Sequence, residues 1–437
     1  MGIIIRKRCT VSDYIDDLTP RATTAATNVS GKDFRNLVFK AGYNLLKNQF
    51  TISTAQELNI IASNLNPTSF GEHLDHLAHH LLRKNQTKEI EFALRLALSR
   101  IVYMVGGTAF HVQQQYFKER NLEALLEGAG NSKPSLESGL DANMIDVYTD
   151  FLSKVDDSSK EARMFLMQKR MEVLSGGGED TDLMKMLDIL DYMVADALLL
   201  PDIKASELTW YRKTVHILDI LFRKSGVSLN ELARNENKLL CDDNDDKKPV
   251  LGRKLDLLLN AASMNKSSSE WKKGGVCASL VEQQQIKNVR ANSAILRQLH
   301  KLPIDEERKP NVYVLAIDWI GVCGYIFAVK EINEAHVAHH IGDLVLPASL
   351  SSFQDFQTTP DLLFSFRNYQ LKLKKIVEPA YNRQNASNTL KSFRSVTPPP
   401  NEPSISPGTF FSPVKKQSKT SQSNITHPRP SDDIDDT

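Results

Sequence analysis

Apolar residues recur three and four positions apart through much of the first 180 residues, the spacing of helices that bury one face. Leu74, Leu77 and Leu81 follow this spacing, and the apolar run from Phe92 to Val102 continues it. Glycine-rich turns interrupt the pattern, and the last of them, at residues 175–178, is typical of a linker. The pattern predicts a mostly α-helical region over residues 1–180.

The pattern changes between residues 181 and 385. This region opens with more helix, and strand-like apolar runs follow at 255–259, 311–317, 324–332 and 335–341. A long helical pattern from Leu280 to Leu299 separates the first of these runs from the others. This alternation of helices with strand runs predicts an α+β or α/β domain.

The chain beyond residue 386 is rich in Ser, Thr, Pro and Asn, and carries eight of the 18 prolines in its last 52 residues. Such a composition cannot bury enough apolar surface to fold, so we expect a disordered tail over 386–437. Thr397, Ser406 and Ser412 each precede a proline, which makes them candidate phosphorylation sites.

Charge and cysteine content narrow the class of protein. The 54 Lys and Arg residues balance 53 Asp and Glu residues, so a surface for nucleic acid has to be local. Four scattered cysteines form no disulfide framework, and the N-terminus lacks a secretory signal. We find no apolar run of about 18 to 20 residues that would span a membrane. We therefore expect an intracellular protein, nuclear or cytoplasmic and not secreted.

One acidic residue lies inside an apolar strand. Asp256 is surrounded by leucines, where a carboxylate is costly to bury without a partner. Glu270 and Lys272 follow, and alternate residues of a strand face the same side. A hairpin around a polar loop at 260–269 would bring the three side chains together. Asp256 and Glu270 could then hold Mg²⁺ or Mn²⁺, and Lys272 could orient an attacking water.

These residues occur in a recognisable order, with a helix before them and a glutamine-bearing helix after them. The segments SELTWYRKTVHILDILF, GRKLDLLL, SSSEWKK, QQQIKNVRANSAIL and YVLAIDWIGVCGYIFAVKEI resemble the PD-(D/E)XK nuclease superfamily, and more narrowly a group of fungal proteins with a nuclease-like domain. The resemblance covers roughly residues 190–380. It implies a restriction-endonuclease-like core over 181–385, with a central mixed sheet flanked by helices.

The resemblance also implies roles for single residues. Glu207 matches the acidic residue of the first core helix, Asp256 the strand aspartate, and Glu270 and Lys272 the E-x-K pair. Gln284, or a neighbouring glutamine among residues 283–285, matches the polar residue of the following helix. The chain departs from the family where Leu255 replaces the usual proline before the aspartate.

Each of these residues also has a structural interpretation. Glu207 follows the N-cap candidate Ser206 and could serve the helix dipole alone. Asp256 could pair with Arg253 or Lys254, and Lys272 could belong to a solvated hairpin end.

The helix after the hairpin carries a row of basic residues. Lys287, Arg290, Arg297 and Lys301 fall on one side of the 280–299 helix, opposite its apolar residues. Such a row beside a carboxylate site suits a phosphate backbone, although an ordinary solvated face has the same pattern. These residues are the predicted nucleic-acid contacts.

The leading hypothesis from the sequence is a metal-dependent nuclease that hydrolyses phosphodiester bonds of DNA in the first place and RNA in the second. The alternative is an inactive nuclease-like module that binds nucleic acid or protein, with the helical region as the candidate protein-binding surface. A third hypothesis, a purely structural protein, requires the D…ExK pattern to be a coincidence. The sequence leaves the oligomeric state open.

Overall fold

The computed structural model describes residues 30–46, 52–197, 206–231, 255–261, 264–394 and 409. In the first 180 residues it contains helices and one short strand: α1 (Gly31–Leu46), α2 (Ile52–Asn64), α3 (Phe70–Leu82), α4 (Lys88–Leu98), β1 (Ile101–Met104), α5 (Thr108–Glu119), α6 (Glu123–Asn131), α7 (Ala142–Asp157) and α8 (Ser159–Ser175). The predicted helical character of this region is confirmed for most of its described residues.

The rest of the described chain contains the sheet and the helices that cover it. Its elements are α9 (Asp182–Ala197), α10 (Glu207–Phe222), β2 (Ser228–Glu231), β3 (Leu257–Ala261), β4 (Met264–Lys272), α11 (Ala278–His300), β5 (Val314–Ile320), β6 (Cys323–Ile332), β7 (Ala335–Val345), α12 (Phe353–Phe356) and α13 (Thr358–Arg394). The predicted strand and helix runs of this region are therefore present.

The strands of the described residues form one open mixed sheet in the order β1-β7-β6-β5-β4-β3-β2. Two neighbouring pairs, β1 with β7 and β4 with β5, are parallel, and the others are antiparallel. Helices flank both faces. Ser268 of β4 contacts Asn288 of α11, whereas Trp271 contacts Thr214 of α10 on the other face, as the alternation of a strand requires.

Strand β1 corrects the expectation of continuous helix through Ile101 and Val102. Helix α4 ends at Leu98, and Arg100 takes a positive φ of 52° before β1 begins. The strand then pairs with β7, with Ile101 opposite His336. A short apolar run satisfies helix and buried-strand patterns alike, and here the sheet edge supplies partners for its backbone groups. The first 180 residues thus contribute a strand to the sheet.

The segment at 260–269, predicted as a polar loop, is mostly strand in the structure. Residues 264–269 belong to β4, and the serines at 267–269 are fully buried. The Ser268 amide donates to Asn292 Oδ1 at 2.8 Å, and the Ser268 hydroxyl donates to Asn288 Oδ1 at 2.9 Å. Because α11 supplies hydrogen-bond partners, these polar residues can lie in the interior.

The last helix extends past the predicted start of the tail. Helix α13 continues to Arg394, so residues 386–394 are helical. The candidate phosphorylation sites Thr397, Ser406 and Ser412 lie outside the described residues. Among the helices that are described, none combines the length and apolarity needed to cross a bilayer.

Candidate functional site

Two acidic residues lie beside each other at one end of the β3–β4 hairpin. Asp256 immediately precedes β3, and the adjacent Leu257 is paired with Ser269 of β4. The antiparallel register therefore places Asp256 next to Glu270. On the other side of β4, Glu270 is in parallel register with Asp318 of β5.

Glu270 is buried, with only 2% of its side chain exposed. Its ion-pair partner is Lys287 of α11, whose Nζ lies 2.6 Å from Oε1 and 2.8 Å from Oε2. Burial raises the pKa of Glu270 to about 8, and the nearby Asp256 and Asp318 carboxylates add to the increase, while Lys287 opposes it. The hairpin end therefore concentrates carboxyl groups at a site where one cation is already present.

Asp318 of β5 lies next to Glu270 in the sheet. It is fully buried and accepts hydrogen bonds from Asn288 Nδ2 at 2.9 Å and from the Tyr325 hydroxyl at 2.8 Å. Burial raises its pKa to about 6, an increase that is limited by these hydrogen bonds and by one from Gln284. Fixed neutral donors thus hold Asp318 in place beside Glu270.

The structure distinguishes among the three glutamines. Gln284 is buried and contacts Asp318, Gln283 is exposed, and Gln285 accepts a hydrogen bond from the Tyr103 hydroxyl at 3.2 Å. Gln284 is therefore the glutamine that reaches the carboxylate cluster. Its hydrogen bond goes to Asp318 of β5, the residue beside Glu270 in the sheet.

Lys272 forms a separate ion pair at the end of β4. Its Nζ lies 2.9 Å from Glu207 Oε2 and 3.0 Å from Oε1, and both side chains are partly exposed. Glu207 is the first residue of α10, whose N-cap Ser206 accepts a hydrogen bond from the Thr209 amide. Glu207 and Lys272, two of the residues that the resemblance relates to the site, are therefore in contact with each other.

Trp271 fixes the strand between Glu270 and Lys272. Its amide donates to Asp256 Oδ2 at 3.0 Å, which positions the half-buried aspartate. On the opposite face its ring packs edge-on against Tyr211 at 4.9 Å, and its indole N–H donates to Thr214. A tryptophan anchored to α10 thus holds the hairpin end that carries the acidic pair.

The predicted row of basic residues is not one exposed surface. Lys287 pairs with Glu270, and Arg290 is only 2% exposed, with its Nε donating to the Ile286 carbonyl. Arg297 reaches back toward the Ser99 carbonyl, and burial lowers its pKa to about 10. Of these four residues, only Lys301 is exposed. The interpretation is corrected because α4 and the sheet cover the side of α11 that sequence periodicity assigned to solvent.

The adjacent carboxylates of Asp256 and Glu270 are candidate ligands for a magnesium ion. Within the described part of the chain, no group of three or more His, Cys, Asp or Glu side chains is arranged to hold a metal. Mg²⁺ is commonly bound through one or two carboxylates, with waters and substrate phosphates completing its shell. Asp256 and Glu270 fit that mode of binding, and they do not fit a closed all-protein site.

The buried carboxylate predicts a pH-dependent stability. Because the pKa of Glu270 is higher in the folded state, its favourable contribution is complete below about pH 4.5 and is lost as the pH rises through about 8. Glu270→Gln removes the ionised form. We expect the free energy of unfolding of the variant, relative to that of the wild type, to be about 1–3 kcal/mol higher at pH 8.5 than at pH 5.

Urea unfolding at the two pH values measures this difference. Glu306→Gln is the matched control, because Glu306 is 83% exposed and its replacement removes no buried charge. Equal stability differences at both pH values for Glu270→Gln would contradict the burial argument.

Comparison of the chain with protein-family models, with curated proteins and with solved structures gave no match. A function is therefore inferred from the geometry of Asp256, Glu270 and Lys287.

Proposed function

We propose that the protein is a metal-dependent nuclease that hydrolyses phosphodiester bonds of DNA, with RNA as the second choice of substrate. The observation that carries the proposal is the adjacency of Asp256 and Glu270 at one end of the hairpin, where Lys287 forms an ion pair with Glu270. Adjacent carboxylates in a largely buried place are costly, and a cation offsets that cost.

The order of elements supports the same proposal. Helix α10 carries Glu207, Asp256 immediately precedes β3, β4 carries the E-x-K residues, and α11 carries Gln284. This is the order on which the resemblance to PD-(D/E)XK nucleases rests. The parallel strand β5 then returns to lie beside β4.

Each side chain has a role that follows from its position. Asp256 and Glu270 would hold Mg²⁺ or Mn²⁺, and the bound metal would stabilise negative charge that develops on the phosphodiester. Lys272 is kept at the end of β4 by Glu207, where its ammonium can orient the attacking water. Trp271 keeps Asp256 in place through its amide.

A cleavage assay tests the proposal. Labelled single- and double-stranded DNA and RNA are incubated with the full chain and Mg²⁺, Mn²⁺ or a chelator. We expect cleavage of DNA with either metal and none with the chelator. Absence of cleavage of all four substrates by folded protein would contradict the proposal.

One observation favours the alternative, an inactive module that binds nucleic acid or protein. Lys287 and Lys272 are already engaged in ion pairs, and Glu270 is almost inaccessible. A module of this kind would bind labelled nucleic acid, or a protein through its helical region, without metal dependence. Binding assays with and without chelator separate it from the enzyme.

A further inference from the structure

The geometry points to Lys287 as an internal cation that holds Glu270 while no metal is bound and moves away when Mg²⁺ binds. Lys287 would then be a positioning residue of the site. This inference rests on the proposed function, because it concerns the access of metal to the same carboxylate.

The contact between the two residues has the geometry of an occupied cation position. Lys287 Nζ is within 2.8 Å of both oxygens of Glu270, so it lies where a metal ligated by that carboxylate would have to approach. A metal ion on the same side of this carboxylate would lie close to the ammonium, and the two cations would repel each other in this poorly solvated place. Binding of the metal on that side therefore displaces Lys287.

Lys287 has a route by which it can leave. Its side chain is 31% exposed while that of Glu270 is 2% exposed, so the ammonium reaches the carboxylate from the solvent side. A lysine has a flexible four-carbon stem and a strongly hydrated head group, which makes release into water feasible. The same path would admit a metal ion to Glu270.

Asp318 and Lys272 are held by partners other than Glu270, so a metal at Glu270 would not release them. Asp318 is held by Asn288 and Tyr325, which are fixed neutral donors. Lys272 pairs with Glu207 at the end of the strand. Displacement by a metal at Glu270 should therefore release Lys287 and leave the Lys272 pair intact.

Acetylation of lysines by an N-hydroxysuccinimide ester at constant pH, followed by peptide mass mapping, measures the release. In the wild type we expect saturating Mg²⁺ to increase the labelling rate of Lys287 about fivefold or more, in proportion to the released population. The exposed Lys273 serves as the internal reference and should not change.

Two variants define the limits of the measurement. In Glu270→Gln, Lys287 loses its ionic partner, so it should label rapidly with or without Mg²⁺. In Asp256→Asn, the metal loses a ligand, so Lys287 should stay protected when Mg²⁺ is added. An ion pair with only a structural role would show no response to metal in any of these proteins.

Binding of Mn²⁺, followed by water proton relaxation, separates the failure of this inference from that of the proposed function. Metal binding that depends on Asp256 but leaves Lys287 labelling unchanged would overturn the inference and leave the nuclease proposal standing. No metal binding to the folded wild type would overturn both.

Discussion

Asp256→Asn is expected to reduce metal-dependent cleavage about 1000-fold, the scale seen when a group that stabilises transition-state charge is removed. The substitution removes one of the two charges at the hairpin end. It keeps an oxygen that can accept the hydrogen bond from the Trp271 amide, so the local structure should persist. Cleavage of labelled DNA at saturating Mg²⁺ measures the effect.

Two adjacent lysines, Lys272 at the end of β4 and Lys273 after it, supply a test variant and its matched control. Lys272→Met should also lose most of the activity, because it removes the ammonium proposed to orient water. Lys273→Met removes the same charge one residue away, from an exposed side chain, and should retain activity. Equal activity of Asp256→Asn and the wild type would exclude Asp256 as a metal ligand, and equal losses in the two lysine variants would indicate a general effect of charge.

Strands β3, β5, β6 and β7 could be predicted from the sequence because their apolar runs are long or lie between clear turns, whereas the sequence predicts only residues 270–272 of β4 as strand. The acidic pair could be predicted for a related reason. A carboxylate within a leucine run requires a partner, and the alternation of β4 fixes which residues share its face. The structure places Asp256 beside Glu270, with β3 paired to the serines that the sequence assigned to the loop.

Pairings between distant parts of the chain could not be predicted in this way. The interaction of Lys287 with Glu270 depends on how α11 lies across the sheet, which helical periodicity leaves undetermined. The burial of Arg290 has the same origin. Strand β1 was missed because four residues carry too little periodicity to separate strand from helix.

Arg100 connects the helical region to the sheet, and its replacement should have the largest effect on stability. Its guanidinium lies 2.6 Å from Asp75 Oδ2 of α3 and 2.9 Å from Glu334 Oε2, in the turn between β6 and β7. The residue itself immediately precedes β1. One side chain therefore joins three segments that are far apart in sequence.

Arg100→Met is expected to lower the free energy of unfolding by about 2–3 kcal/mol, because it removes the hydrogen bonds that the guanidinium donates to the buried carboxylate of Asp75, while Arg35 and Arg297 still supply positive charge nearby. The side chain of Asp75 is only 5% exposed, so water cannot easily replace the lost partner. Chemical denaturation at neutral pH measures the loss. If the helices and the sheet unfold as one unit, far-ultraviolet circular dichroism and tryptophan fluorescence should report the same shifted transition.

Arg163→Met is the matched control, because Arg163 is 59% exposed and forms a 3.4 Å ion pair with Asp191. An exposed pair of this kind contributes at most about 1 kcal/mol. Adding Asp75→Asn to Arg100→Met should recover part of the lost stability, because a neutral side chain is less costly to bury without the hydrogen bonds from Arg100. A loss no larger than that of the control, or no recovery in the double variant, would show that the buried charge of Asp75 does not depend on Arg100.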